Sequence, residues 1–147
     1  MRVLLADGDP DVRGALRLLL IQDLGMQVTG EAADAIELRG RTKADRPDLL
    51  LLDWTLAGAR ASDVMAGLRA LSPGLRIVVL SAHPETRPHA LAAGADAFVS
   101  KADAPAQLVT TLRALHSATR PGSVGDGAAR VADDGAGAGN APEWGGT

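Results

Sequence analysis

The chain has 147 residues, a net charge of −3, no cysteine and only 2% aromatic residues. This length favours one ordinary domain with an additional segment, and a core so poor in aromatics is expected to consist of Leu, Val, Ile and Ala. The lack of cysteine excludes disulfides, thiol nucleophiles and thiolate metal sites. The acidic balance argues against nucleic-acid binding, and no apolar run approaches the roughly 18 residues of a membrane span. We therefore expect a cytoplasmic protein with no membrane partner and no direct nucleic-acid partner.

The composition changes near residue 120. Residues 121–147 are dominated by Gly and Ala, with scattered acids and almost no large apolar side chains. Such a segment cannot bury enough apolar surface to offset the entropy lost on ordering. We expect one folded domain over residues 1–118 and a disordered Gly/Ala-rich tail over residues 119–147.

Five short apolar runs alternate with helical patterns in residues 1–118. The predicted strands are Val3–Ala6, Met26–Thr29, Leu49–Leu52, Arg76–Leu80 and Ala97–Ser100. The third and fourth runs contain LLLL and IVVL, which lack alternation, as is typical of strands covered on both faces. Five βα units in this order predict an α/β fold with a parallel sheet between two layers of helices.

Local signals predict where the helices begin. Pro10 suits the first position of the first helix, behind Asp9 as a possible N-cap. Ser62 is predicted to cap the third helix, and Pro105 to begin the last one. The predicted architecture is a flavodoxin-like, doubly wound (βα)5 fold with strand order 2-1-3-4-5. In that order the first and third strands are neighbours, and all strands end along one edge.

Polar residues directly follow four of the predicted strands. They are Asp7 after the first strand, with Asp9 two residues later, Asp53 after the third, Ser81 after the fourth and Lys101 after the fifth. The predicted topology gathers them where ligands bind in open α/β sheets. The chemistry suits phosphoryl transfer, with Asp53 as nucleophile and with a metal, Lys101 and Ser81 holding the phosphoryl oxygens.

Residues 1–118 resemble the response-regulator receiver domains of bacterial two-component systems. The segments VLLADGDPDVRGAL, PDLLLLDWTLAG, RIVVLSAH and AGADAFVSKADAP match the family's blocks in order and spacing. The resemblance implies that Asp53 accepts a phosphoryl group from a histidine kinase and that Lys101 pairs with it. It also implies that the backbone carbonyl of Thr55 is offered to magnesium.

The resemblance further implies a switch that follows phosphorylation. Ser81 takes the position of the switch hydroxyl, and Phe98 that of the aromatic residue that rearranges with it. Their movement alters the surface formed by the fourth helix, the fifth strand and the fifth helix. We expect this surface to carry contacts with a downstream protein or with a second copy of the chain.

The pair Asp7-Gly8 departs from the family pattern. The family usually has two adjacent acids after the first strand, and the second of them binds magnesium directly. With Gly8 in that place, the expected oxygen ligands are Asp7, Asp53 and the Thr55 carbonyl. Asp9 is a possible further ligand, although helix capping is the favoured interpretation of its side chain. Magnesium binding is therefore predicted to be weakened, because a negative charge in the site is missing.

Two interpretations of function remain open. One is a stand-alone, non-enzymatic phosphorylation switch, and the other is a pseudo-receiver that binds partners without being phosphorylated. A flavin or nucleotide enzyme is disfavoured, since the loop after the first strand has no glycine-rich phosphate cradle. No helix-turn-helix pattern follows residue 118, yet the block around Lys101 most resembles receivers that carry a DNA-binding domain. We therefore interpret the chain as a stand-alone or a truncated relative of such regulators.

Overall fold

A computed structural model describes residues 1–118 of the chain. The chain divides into two units, Met1–Ala102 and Asp103–Thr147. The predicted Gly/Ala-rich tail, residues 119–147, lies outside the described residues. In the described part, every helix is too short or too polar to span a lipid bilayer.

The first unit is built around a five-stranded parallel sheet. The strands are β1 (Arg2–Ala6), β2 (Gln27–Ala32), β3 (Leu49–Asp53), β4 (Arg76–Ser81) and β5 (Ala97–Ser100). Their order in the sheet is β2-β1-β3-β4-β5, and every neighbouring pair is parallel. This confirms the predicted flavodoxin-like topology.

Helices follow each strand along the chain. They are α1 (Pro10–Leu18), which continues as a π-helical turn over Leu19–Asp23, α2 (Ala35–Asp45), α3 (Ala61–Leu71), α4 (Arg87–Ala92) and, in the second unit, α5 (Ala106–Ala118). A single helical turn, Trp54–Ala57, and a 3-10 turn, Gly58–Arg60, precede α3, and a 3-10 turn, Pro84–Thr86, precedes α4. The last helix begins one residue after the predicted Pro105.

The sheet supplies most of the core of the first unit. Leu49–Leu52 of β3 are at most 1% exposed, and Ile77–Leu80 of β4 at most 2%. Burying such a side chain contributes roughly 1.5–3 kcal/mol relative to leaving it exposed. Strands that are buried on both faces have no polar side to alternate with, which explains the continuous apolar runs.

The strand register fixes the neighbours at the carboxyl edge of the sheet. Ala6 of β1 pairs with Leu52 of β3, so the residues that follow them, Asp7 and Asp53, lie side by side. Ser81 at the end of β4 pairs with Ser100 of β5, which Lys101 follows directly. The strand register therefore places two carboxylates, a hydroxyl and an ammonium at the carboxyl edge of the sheet.

Strand β2 is longer than its sequence indicates. It was predicted over Met26–Thr29 but runs from Gln27 to Ala32, through a Gly-Glu-Ala segment with no apolar signal. After a shift of register next to Val3, β1 pairs with this segment to its end. Pairing with a neighbouring strand outweighs a weak local preference.

The prediction that Ser62 caps α3 is wrong. Helix α3 begins at Ala61, and Ser62 lies inside its first turn; the N-cap residue is Arg60, with no side-chain cap hydrogen bond. The chain enters α3 directly from the preceding 3-10 turn, so Ala61 already has helical angles (φ −56°, ψ −39°). A preceding turn therefore takes the place of a capping hydroxyl.

Candidate functional site

The loop between β1 and α1 places one acid inside the protein and one outside. Asp7 is only 3% exposed, and its Oδ1 accepts a hydrogen bond from the Asp9 amide at 2.9 Å. The exposed Asp9 accepts through Oδ1 from the Asp11 amide, also at 2.9 Å, with Pro10 as the first helical residue. The prediction that Asp9 is the N-cap of α1 is confirmed. An acceptor at this position satisfies a helix amide that has no partner within the helix.

Lys101 joins the two carboxylates at the sheet edge. Its Nζ lies 2.9 Å from Oδ2 of Asp7 and 3.4 Å from Oδ1 of Asp53. The Asp7 side chain is 4% exposed, that of Asp53 13% and that of Lys101 28%. One ammonium therefore balances two carboxylates, which leaves an excess of one negative charge in a partly buried site. Such a site attracts cations.

The pKa of Lys101 responds to these neighbours. Burial by itself favours the uncharged amine, but the hydrogen bond to Asp7 and the charges of Asp53 and Asp7 outweigh it. The pKa of Lys101 is consequently raised from its ordinary value of 10.5. The ammonium stays charged at neutral pH and remains available to a further anion.

The chain turns sharply after Asp53. A single helical turn, Trp54–Ala57, starts directly behind Asp53, and its Thr55 and Trp54 carbonyls accept the Gly58 amide. Gly58 has a φ of +75°, a backbone conformation that suits glycine. The Thr55 carbonyl is therefore already engaged in a turn, although a carbonyl oxygen keeps a second lone pair.

The oxygen donors at this edge suit a weak magnesium site. Magnesium is commonly held by one or two carboxylates that leave room for waters and phosphate oxygens. Asp7 and Asp53 supply two carboxylates, and within residues 1–118 no three His, Cys, Asp or Glu side chains are grouped so that they could hold a metal. A side chain at Gly8 would have space, because a Cβ there meets only the Ala33 carbonyl oxygen, at 3.7 Å. The donor set therefore fits magnesium, with one carboxylate fewer than the family pattern has.

Ser81, the last residue of β4, and Phe98, the second residue of β5, are both buried. Ser81 is 2% exposed and Phe98 3%. The Ser81 hydroxyl bonds to its own loop, accepting from the His83 amide at 3.0 Å. The structure thus brings Ser81 to the predicted edge with its hydroxyl engaged by the loop that follows β4.

Two further residues were not found from the sequence. Arg13 of α1 donates to the Asp7 carbonyl at 2.6 Å and lies 2.9 Å from Glu31 of β2, which braces the loop that carries Asp7. Glu31 stands in the segment where no strand was predicted, so nothing in the sequence paired it with Arg13. Thr86 lies beside Ser81, with 3.1 Å between their hydroxyl oxygens. A second hydroxyl five residues after a strand end is too common a pattern to single it out.

Comparisons with known sequences agree with this geometry. A sequence model of the response regulator receiver domain matches residues 3–113. The response regulator MprA of Mycobacterium leprae (strain TN) is 32% identical over 137 residues, which are 91% of this chain and 59% of that protein. The chain therefore spans little more than half the length of the curated relatives that it matches.

Solved structures show the same similarity. A two-component response regulator of the LuxR family from Aurantimonas sp. SI85-9A1 superposes with a TM-score of 0.71 at 31% identity, over 79% of this chain and 84% of that one. The isolated REC domain of RcsB from Salmonella enterica serovar Typhimurium, solved with the phosphomimetic BeF3−, gives a TM-score of 0.71 at 26% identity, over 80% and 89% of the two chains. Both are similar to the described part of this chain in fold and in extent.

Proposed function

This chain belongs to the response regulator receiver domain family, and we propose that it is a phosphorylation switch whose acceptor is Asp53. The observation that carries the proposal is the position of Lys101 Nζ, 2.9 Å from Asp7 and 3.4 Å from Asp53. A paired ammonium beside a partly exposed carboxylate suits a site that gains and loses an anionic group. The donor is a phosphohistidine of a histidine kinase.

The transfer is a displacement at phosphorus. An oxygen of the Asp53 carboxylate forms a bond to the phosphorus as the bond from phosphorus to the imidazole nitrogen breaks, and that nitrogen keeps the electron pair and takes up a proton. The Asp53 side chain is 13% exposed, so part of the carboxylate faces solvent. Lys101 stays charged through the step and balances part of the added negative charge.

Asp7, Asp53 and the Thr55 carbonyl would hold a magnesium ion in this site, with Asp9 as a weaker candidate. The ion supplies positive charge that compensates the phosphoryl oxygens. Asp7 is already hydrogen-bonded to Lys101 and to the Asp9 amide, which fixes its orientation. Asp9 is exposed and its Oδ1 caps α1, so only its Oδ2 could coordinate the ion without opening that cap.

Ser81 and Phe98 transmit the conformational change from the site to the protein surface. On phosphorylation the Ser81 hydroxyl turns to the phosphoryl group, and Phe98 follows into the space that is released. A downstream protein or a second copy of the chain then binds where α4 and β5 are altered. The chain acts in the cytoplasm through these contacts and not as an enzyme, whether it works as a stand-alone protein or as part of a longer regulator.

A pseudo-receiver is the second candidate, and a specific observation favours it. Gly8 stands where a second acid is usual, Asp9 is used as a helix cap, and the Thr55 carbonyl accepts the Gly58 amide. Each of these weakens the metal site on which phosphorylation depends. In this alternative the domain keeps its fold and binds partners without a phosphoryl group.

Labelling with a small phosphodonor separates the two candidates. Wild type, Asp53→Asn and the control Asp23→Asn, which changes an exposed acid, are incubated with radiolabelled acetyl phosphate and millimolar magnesium. We expect wild type and Asp23→Asn to be labelled and Asp53→Asn to remain unlabelled. Asp53→Asn should stay folded, because it removes one charge from a cluster with excess negative charge. Label on Asp53→Asn would place the acceptor elsewhere, and three folded but unlabelled proteins would favour the pseudo-receiver.

A further inference from the structure

A hydrogen-bonded cluster surrounds the Ser81 hydroxyl in the loop between β4 and α4. Ser81 Oγ accepts from the His83 amide at 3.0 Å and lies 3.3 Å from the His83 carbonyl oxygen. Thr86 Oγ1 lies 3.1 Å from Ser81 Oγ and 2.7 Å from the same carbonyl oxygen. Two hydroxyls, the His83 amide and the His83 carbonyl, which also accepts the Thr86 amide at 3.0 Å, thus form one group.

Because the Thr86 amide occupies one of the two lone pairs of the His83 carbonyl, only one hydroxyl can donate to that oxygen. Each hydroxyl carries one proton, and the His83 amide adds a third donor directed at Ser81. Every assignment of these protons leaves the Ser81 hydroxyl bonded within its own loop. Among the described residues, each hydrogen-bonding partner of Ser81 Oγ belongs to His83 or Thr86.

We propose that Thr86 is a positioning residue that holds the Ser81 hydroxyl on the loop in the resting state. The inference rests on the proposed function, in which Ser81 must turn from the loop to a phosphoryl group on Asp53. Before it turns, Ser81 has to give up its contact with Thr86. The Thr86 hydroxyl therefore sets part of the free-energy difference between the resting and the phosphorylated arrangement.

The half-buried position of Thr86 allows this role to be separated from folding. Val has the shape of Thr without the hydroxyl, and the His83 carbonyl still accepts the Thr86 amide at 3.0 Å. Thr86→Val should therefore lower the free energy of unfolding by only about 1 kcal/mol, the contribution of one hydrogen bond. Thr86→Ser keeps the hydroxyl and is the matched control.

Beryllofluoride affinity in excess magnesium is the first measurement, read from the emission of Trp54 in a Trp144→Phe background. One hydrogen bond contributes about 1 kcal/mol net, which corresponds to about fivefold in affinity. We expect Thr86→Val to bind beryllofluoride about fivefold more tightly than wild type, and Thr86→Ser to resemble wild type. If Thr86 only stabilised the loop, Thr86→Val would bind with equal or lower affinity, and that result would overturn the inference.

Amide hydrogen exchange of His83, measured without any phosphoryl analogue, is the second measurement. Release of Ser81 from the loop should expose this amide, so exchange should be faster in Thr86→Val than in wild type and Thr86→Ser. If no protein binds beryllofluoride, the proposed phosphorylation switch fails, and the exchange result alone decides on the Thr86 contact. Equal exchange in all three proteins would show that Thr86 does not hold Ser81.

Discussion

Gly8→Asp is the substitution that most directly tests why the magnesium site is weak. Gly8 is exposed, is not among the glycines with positive φ, and has 3.7 Å between a built Cβ and the nearest atom, the Ala33 carbonyl oxygen. An Asp there needs neither strained backbone nor repacking. It adds a carboxylate directly after Asp7, where the family pattern has its second acid.

The expected gain follows from the charges. Two unit charges about 4 Å apart attract by about 1 kcal/mol in water, so a carboxylate and a divalent ion attract by about 2 kcal/mol. Repulsion between the new carboxylate and its neighbours Asp7 and Asp53 offsets part of this. A net gain of about 1.4 kcal/mol corresponds to about tenfold tighter magnesium binding.

Trp54 is the reporter for this titration. It directly follows Asp53 and is half-buried, so ion entry changes its surroundings. In a Trp144→Phe background, wild type should respond only at millimolar magnesium, and Gly8→Asp at about tenfold lower concentration. Labelling by acetyl phosphate should rise in parallel.

Gly8→Asn is the matched control, because it adds nearly the same volume without the charge. An equal gain in Gly8→Asn, or no gain in Gly8→Asp, would refute the argument from charge. If Gly8→Asp changes nothing while Asp9→Ala abolishes the response, Asp9 is the ligand. The ligand set of Asp7, Asp53 and the Thr55 carbonyl would then be wrong.

Three further predictions concern stability, each measured by denaturant or thermal unfolding. Lys101→Met should lower the free energy of unfolding by about 2 kcal/mol at pH 7, since Asp7 stays buried without its partner. Because the pKa of Lys101 is raised, its contribution is present below pH 10.5 and lost at higher pH, so the two proteins should converge there; a constant gap would contradict this. Arg46 has φ 48° at the end of α2, so Arg46→Gly should stabilise by about 1 kcal/mol, whereas Lys43→Gly within α2 should destabilise. Deleting residues 121–147 should shift Tm by only about 1–2 °C, and a large drop would contradict the predicted domain boundary.

The sequence was sufficient for the fold because the apolar runs are short and continuous. LLLL in β3 and IVVL in β4 have the pattern of strands buried on both faces, and both are buried as expected. The prediction was incomplete for β2, whose second half has no apolar pattern. This strand extends through Gly30 and Glu31 because β1 pairs with them. Local propensity carries no information about a partner strand.

The site was predictable to the extent that strand ends determine it. Asp7 and Lys101 directly follow a strand and Asp53 ends one, so the topology alone brought them together. Contacts made through side chains that lie elsewhere in sequence were missed. The hydrogen bond from Arg13 to the Asp7 carbonyl and the contact of Thr86 with Ser81 both depend on side-chain conformation. The periodicity of the sequence does not encode that conformation.

Asp53 is the residue that we propose carries the phosphoryl group. Borohydride reduces an aspartyl phosphate to homoserine, so peptide mass spectrometry after reduction identifies the modified residue. In the intact chain treated with acetyl phosphate and millimolar magnesium, we expect homoserine at position 53. Homoserine at Asp7 or at another acid, or none in a folded protein that has bound magnesium, would contradict it.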